Sequence, residues 1–144
     1  MDIELKNESL KYKSWVLNER QICDIEMIIN GGFAPLNCFL NRDDYESVLS
    51  SMRLKNGSLW PIPINLDVNE EFSRKINPGD KLTLKNREGF SIAIIDIEDI
   101  WNPDLKKECL SVYGTADNTH PGVDYLLNQS NPIYVGGKIR AISK

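Results

Sequence analysis

The sequence predicts an α+β domain built on a small mixed, mainly antiparallel β-barrel, partly closed, with peripheral helices. Three observations lead there. Short apolar runs of strand character, bounded by turn residues, fill the middle and the end of the chain: PIPINLDV, KLTL, FSIAIIDIEDI and IYVGGKIRAI. Segments with helical periodicity precede and separate them. The third observation is scale. At 144 residues, 41% apolar and 26% charged, the chain is long enough for one proper core and is read as a single domain over residues 1–144. It has no internal repeat, low-complexity tract or dividing linker.

Each element has a local justification. NERQICDIEMIIN (18–30) reads as a helix. Asn18 is its N-cap, Gln21 completes a capping box, and Leu17 and Ile22 are spaced for a hydrophobic staple. Ile22, Ile25, Ile28 and Ile29 share a face, and Gly31 ends the helix in a left-handed conformation. A second helix starts at Asn41 with Asp43 and Asp44 in its first turn, and Tyr45, Val48, Leu49 and Met52 form its apolar stripe. Lys55-Asn56-Gly57 is a turn, and the two prolines of SLWPIPINLDV suit an edge or irregular strand. Asn69 caps a short helix in NEEFSRKI; NPGD turns; KLTL and FSIAIIDIEDI form a hairpin through NREG. DLKKECLSVY and PGVDYLLNQ read as helices, and IYVGGKIRAI as a last strand with a glycine bend.

Composition excludes several classes. No apolar run reaches the roughly 18–20 residues of a membrane span; the longest candidate, Phe90 to Trp101, is broken by Asp96, Glu98 and Asp99. The N-terminal MDIELKNESLKYK lacks the apolar stretch of a secretory signal. Cys23, Cys38 and Cys109 are widely spaced, as expected of reduced thiols in a cytoplasmic protein. A net charge of -4 argues against a broad polyanion-binding face, so nucleic acid is disfavoured as a partner and no membrane partner is expected.

The search for chemistry begins at NGGFAPLNCFLNRDDY (30–45). A glycine pair can cradle phosphate, but such loops precede a helix and use its positive end. Gly31 and Gly32 follow one helix, and the next opens with two aspartates. Gly31, Gly32, Phe33 and Pro35 are therefore read as a structural loop, anchored by burial of Phe33, Leu36, Phe39 and Leu40. His120 is the single histidine, and before Pro121 it reads as a helix cap. Cys38 has only Arg42 as a neighbouring cation in sequence and reads as an inert thiol. Asp96 and Glu98 share a strand face that reads as solvated, and Lys81, Lys85 and Arg87 read as guards of a sheet edge. No catalytic, cofactor-binding or metal-ligating residue is assigned.

Six collinear stretches, LNERQICDIEMIINGGFAPLNCFLNRDDYESV, RLKNGSLWPIPINLDV, PGDKLTL, AIIDIEDIWNPD, YGTADNTHPGVDYLLNQ and YVGGKIRAI, resemble the N-terminal domain of ATP sulfurylase (sulfate adenylyltransferase). The resemblance runs from about Trp15 to Ile142; Asn37-Cys38 departs from the small pair, such as Thr-Gly, common there. It implies a PUA-like fold and a parent enzyme that makes adenylyl sulfate and pyrophosphate from MgATP and sulfate. In that family the chemistry belongs to a following domain with Gln-x-Arg-Asn-Pro and His-x-x-His segments. Gln129-Ser130-Asn131-Pro132 lacks the arginine, so no catalytic residue carries over. The implied partner is the catalytic domain of the same enzyme, in cis or as a separate chain, with a homo-oligomer also expected. Gly136, Gly137, Lys138 and Arg140 are the candidate domain interface; the competing reading is a strand bulge with two solvated cations. A free-standing RNA-binding module and a ligand-sensing remnant stay open as alternatives.

Overall fold

Residues 3–32, 36–57, 60 and 63–142 are described by a computed structural model. The order of elements is α1 (Ile3–Ser9), β1 (Ser14–Val16), α2 (Glu19–Ile29), β2 (Cys38–Phe39), α3 (Arg42–Ser51), β3 (Leu66–Val68), α4 (Glu70–Ser73), β4 (Lys81–Lys85), β5 (Ser91–Trp101), α5 (Leu105–Tyr113), α6 (Pro121–Asp124), a π-helical turn (Tyr125–Gln129) and β6 (Ile133–Ala141). The sheet follows the path β1-β4-β5-β6-β2, with β3 off the path on β6. β4–β5, β3–β6 and β2–β6 pair antiparallel, and β1–β4 parallel. The mainly antiparallel α+β class is as expected, but the sheet is open: among the described residues no pairing joins its outer strands. Two compact units interleave along the chain, Met1–Phe39, Pro78–Glu98 and Gly137–Lys144 in one, Leu40–Asn77 and Asp99–Gly136 in the other.

In the first unit, the capping box at α2 forms as read. Asn18 Oδ1 accepts from the Gln21 N–H at 2.8 Å, and the Asn18 N–H donates to Gln21 Oε1 at 3.1 Å. Gln21 is buried and its Oε1 also accepts from the Trp15 indole, so one side chain caps the helix and fastens β1. Ile25 and Ile28 face inward, and Gly31 takes φ +79°. Leu82, Leu84, Ala93, Ile94 and Ile95 fill the β4–β5 part of the core. β1 lies in register on β4, Ser14 opposite Thr83, so β4 is an interior strand. The expectation that Lys81, Lys85 and Arg87 guard an edge is thus corrected: a three-residue strand too short to read from sequence covers that edge, and Arg87 pairs with Glu19 at 3.3 Å.

In the second unit, Asn41 caps α3 by accepting from the Asp44 N–H, and Tyr45 and Val48 are buried as expected. Met52 departs from the expected stripe. The helix ends at Ser51, Met52 takes the left-handed φ of +55°, and its side chain is 54% exposed. Asn69 caps α4 and Asp104 caps α5. Cys109, Val123 and Leu126 form a small core where α5, α6 and the π-helical turn meet. Apolar helix faces and short-range caps therefore explain most of this unit.

Candidate functional site

The candidate interface lies on β6. Gly136 and Gly137 are buried. A Cβ at Gly136 would strike the Leu40 carbonyl oxygen and come within 2.6 Å of Asn41 Cα; one at Gly137 would strike the Asp96 carbonyl oxygen. The close backbone approach that glycine permits is therefore made with this chain's own loops and strands. Lys138, opposite Cys38 in the β2–β6 ladder, is exposed. Arg140 is half-buried, and its Nη2 donates to Glu8 at 3.0 Å and to Asp96 at 3.1 Å. Tyr12 donates to the same Glu8 carboxylate at 2.6 Å. That hydrogen bond first, and the Arg140 contact second, hold the Glu8 carboxyl below the ordinary range.

The glycine loop has the local geometry of a helix stop. Gly31 is left-handed with open space where a Cβ would stand, whereas a Cβ at Gly32 would meet the Met27 side chain. Leu36, Phe39 and Leu40 are buried, as expected. Phe33 and Pro35 lie outside the described residues.

The residues considered for chemistry are scattered. His120 Nδ1 accepts from the Gly122 N–H at 3.1 Å as the N-cap of α6, with Pro121 at the first helical position. Its ring lies 4.8 Å from that of Tyr113. Cys38 is half-buried rather than fully enclosed. In the segment Gln129-Ser130-Asn131-Pro132, the Asn131 N–H donates to the buried Asp67 carboxylate at 2.9 Å, a structural tie. Among the described residues no group of three or more His, Cys, Asp or Glu is placed to hold a metal ion, and no helix is long and apolar enough to cross a membrane.

One buried polar cluster escaped the sequence reading. Glu108, 5% exposed, accepts through Oε1 from Tyr45 Oη at 2.5 Å and from Tyr134 Oη at 2.8 Å. The two phenols and Trp101 pack edge-on or tilted, with centroids 5.4–5.8 Å apart. Burial first, and the Glu108 charge second, raise both phenols far above their ordinary value, so they act as fixed donors. Burial, with the Glu108 charge behind it, likewise raises the Cys109 thiol. Nothing in the sequence links positions 45, 108 and 134, because the link exists only after folding.

A mainly antiparallel sheet combined with helices defines an α+β domain. The chain belongs to the PUA-like domain family, whose pattern matches residues 2–144. It is 45% identical over 138 residues to the sulfate adenylyltransferase of Eremothecium gossypii, covering 96% of this chain and 27% of that protein. To the sulfate adenylyltransferase of Schizosaccharomyces pombe it is 43% identical over 142 residues, covering 97% of this chain and 29% of the relative. Among solved structures, the hexameric APS kinase from Thiobacillus denitrificans superposes with a TM-score of 0.74 at 26% identity, over 97% of this chain and 23% of that one. The chain thus spans about a quarter of the length of the relatives it matches.

Proposed function

We propose that this chain is the non-catalytic PUA-like domain of a sulfate adenylyltransferase, a domain that packs on the catalytic portion of the enzyme and supports its assembly. The supporting observation is the match itself: 45% identity across 96% of this chain but only 27% of a sulfate adenylyltransferase. In this reading the partner enzyme joins MgATP and sulfate into adenylyl sulfate and releases pyrophosphate, in the cytoplasm, and the phosphate-handling groups lie outside these 144 residues. The catalytic portion is held in cis or as a separate chain. A homo-oligomer is part of the proposal, supported by the structural relative being a hexameric APS kinase. On β6, Lys138 is the exposed member of the candidate interface and is assigned the contact with a partner carboxylate; Gly136, Gly137 and Arg140 hold that strand in place from within.

The test is reconstitution. The 144-residue chain is assayed for pyrophosphate release with MgATP and sulfate, alone and with the remainder of the Eremothecium gossypii relative. The expected result is no product from the chain alone, co-elution of the two pieces, and restored activity. Product from the chain alone, or two pieces that elute apart and stay inactive, would refute the assignment.

A further inference from the structure

The sheet ends at β1, in the first unit, which pairs with β4 on one side and, among the described residues, with no strand on the other. In that parallel ladder alternate residues turn toward β4. The Lys13 C=O accepts from the Thr83 N–H at 2.9 Å, and the Leu17 N–H donates to the Lys85 C=O at 2.8 Å. Ser14 and Val16, in between, turn their backbone N–H and C=O outward, where no described group meets them.

An edge of this kind is normally guarded by a charge, a proline or a covering segment. Here Ser14 and Val16 are neither charged nor proline, and Val16 is 54% exposed. Two further apolar side chains border the edge. Leu10, 72% exposed, stands shortly before the strand. Phe90, 66% exposed, precedes Ser91, which faces Lys85 as Lys85 faces Val16.

We propose that this edge binds the same edge of a second copy, β1 against β1 in antiparallel sense about a two-fold axis at Trp15. Three properties select that partner. The outward groups are self-complementary: Ser14 of one copy exchanges both backbone hydrogen bonds with Val16 of the other, and Val16 with Ser14, so each of them is answered. A two-fold contact uses the same patch on both copies and closes at two chains, which suits a strand of only 3 residues. Charge sets the sense. Lys11 and Lys13, both exposed, stand at the start of the strand, so a parallel pair would bring like charges together and an antiparallel pair keeps them at opposite ends. The contact gives the homo-oligomer proposed above a location and does not depend on the adenylyltransferase assignment.

Sedimentation of the 144-residue chain over a dilution series reaching about 1 mM tests it. The expected result is a reversible monomer–dimer equilibrium. Val16→Pro deletes an outward N–H that the fold itself does not use, a change that edge strands accept. It should weaken the dimer by at least about tenfold, since symmetry removes that bond twice, and leave the melting temperature of the monomer close to that of the parent. Val16→Lys keeps the backbone intact, sets a charge on the edge and should also weaken the dimer; it decides the matter should the proline variant unfold. A parent chain that stays monomeric throughout, or folded Val16 variants that dimerise as the parent does, would overturn the proposal. A monomeric chain that still restores activity to the remainder of a relative would overturn this contact alone.

Discussion

At the scale of single residues, Glu108 ties two buried phenols to one acceptor. Its carboxylate is the acceptor for two buried phenols, and Tyr45 and Tyr134 are each 3% exposed. Glu108→Ala would strand both hydroxyls away from water, at about 1–3 kcal/mol each. Urea denaturation should show a loss of roughly 2–6 kcal/mol for that variant, and a smaller one for Glu108→Gln, whose amide oxygen still accepts. Equal losses for the two variants would mean that the carboxylate charge, which both variants lose, sets the cost rather than packing or a neutral acceptor. Tyr45→Phe and Tyr134→Phe share one acceptor, so their combined effect should be non-additive in a double-mutant cycle. Glu8 makes a different prediction. Its folded-state pKa is depressed by Tyr12 and Arg140, so it stabilises the fold above its unfolded value, and that contribution fades as pH falls through the folded one. Arg140→Met removes one of the two donors. Its melting temperature should fall furthest below that of the parent above about pH 4.3, and the gap should close on acidification. A gap that stays constant with pH would show that Arg140 acts only through packing.

At the scale of elements, helix starts were legible because capping chemistry is local. Asn18, Asn41, Asn69, Asp104 and His120-Pro121 all begin helices by hydrogen bonds to residues two or three positions on. β1 and β2 were not legible. With three and two residues they carry no periodicity, and their pairing partners lie far along the chain. α1, largely exposed and charged, gave no apolar stripe to detect. The glycine bend of β6 was visible in sequence, but not what approaches it. A methyl at Gly136 would meet the Leu40–Asn41 backbone, which cannot rotate aside as a side chain can. Gly136→Ala should therefore cost about 1–3 kcal/mol or more in urea unfolding. Gly122 is the contrast: a Cβ there would meet the ring end of Tyr113, which is 40% exposed and free to swing outward. Gly122→Ala, inside a helix, should be near neutral. If both glycines tolerate alanine equally, the close approach at β6 is not a constraint on the strand.

At the scale of the whole molecule, composition and collinear sequence blocks carried the class and the family, while the open path of the sheet was out of reach. Closure of a barrel depends on whether the first and last strands find each other, a long-range matter that local patterning does not encode. Burial at Glu108 is invisible for the same reason: it is a property of neighbours drawn from separate segments. What the whole sequence does encode is its electrostatic field. A net charge of -4 and a pI near 5.0 leave no basic surplus, and Arg42, Arg74, Arg87 and Arg140 are each paired with a carboxylate. Some PUA-like domains bind RNA, and that activity would require phosphate contacts whose strength falls steeply with added salt. Here an approaching phosphate would meet a net negative chain in which four of the six arginines already have a carboxylate partner. Filter binding of labelled tRNA to the 144-residue chain should therefore give no retention that grows as salt is lowered. Retention that rises steeply at low salt would reveal a basic surface these ion pairs do not neutralise, and would favour the RNA-binding reading over the packing role proposed above.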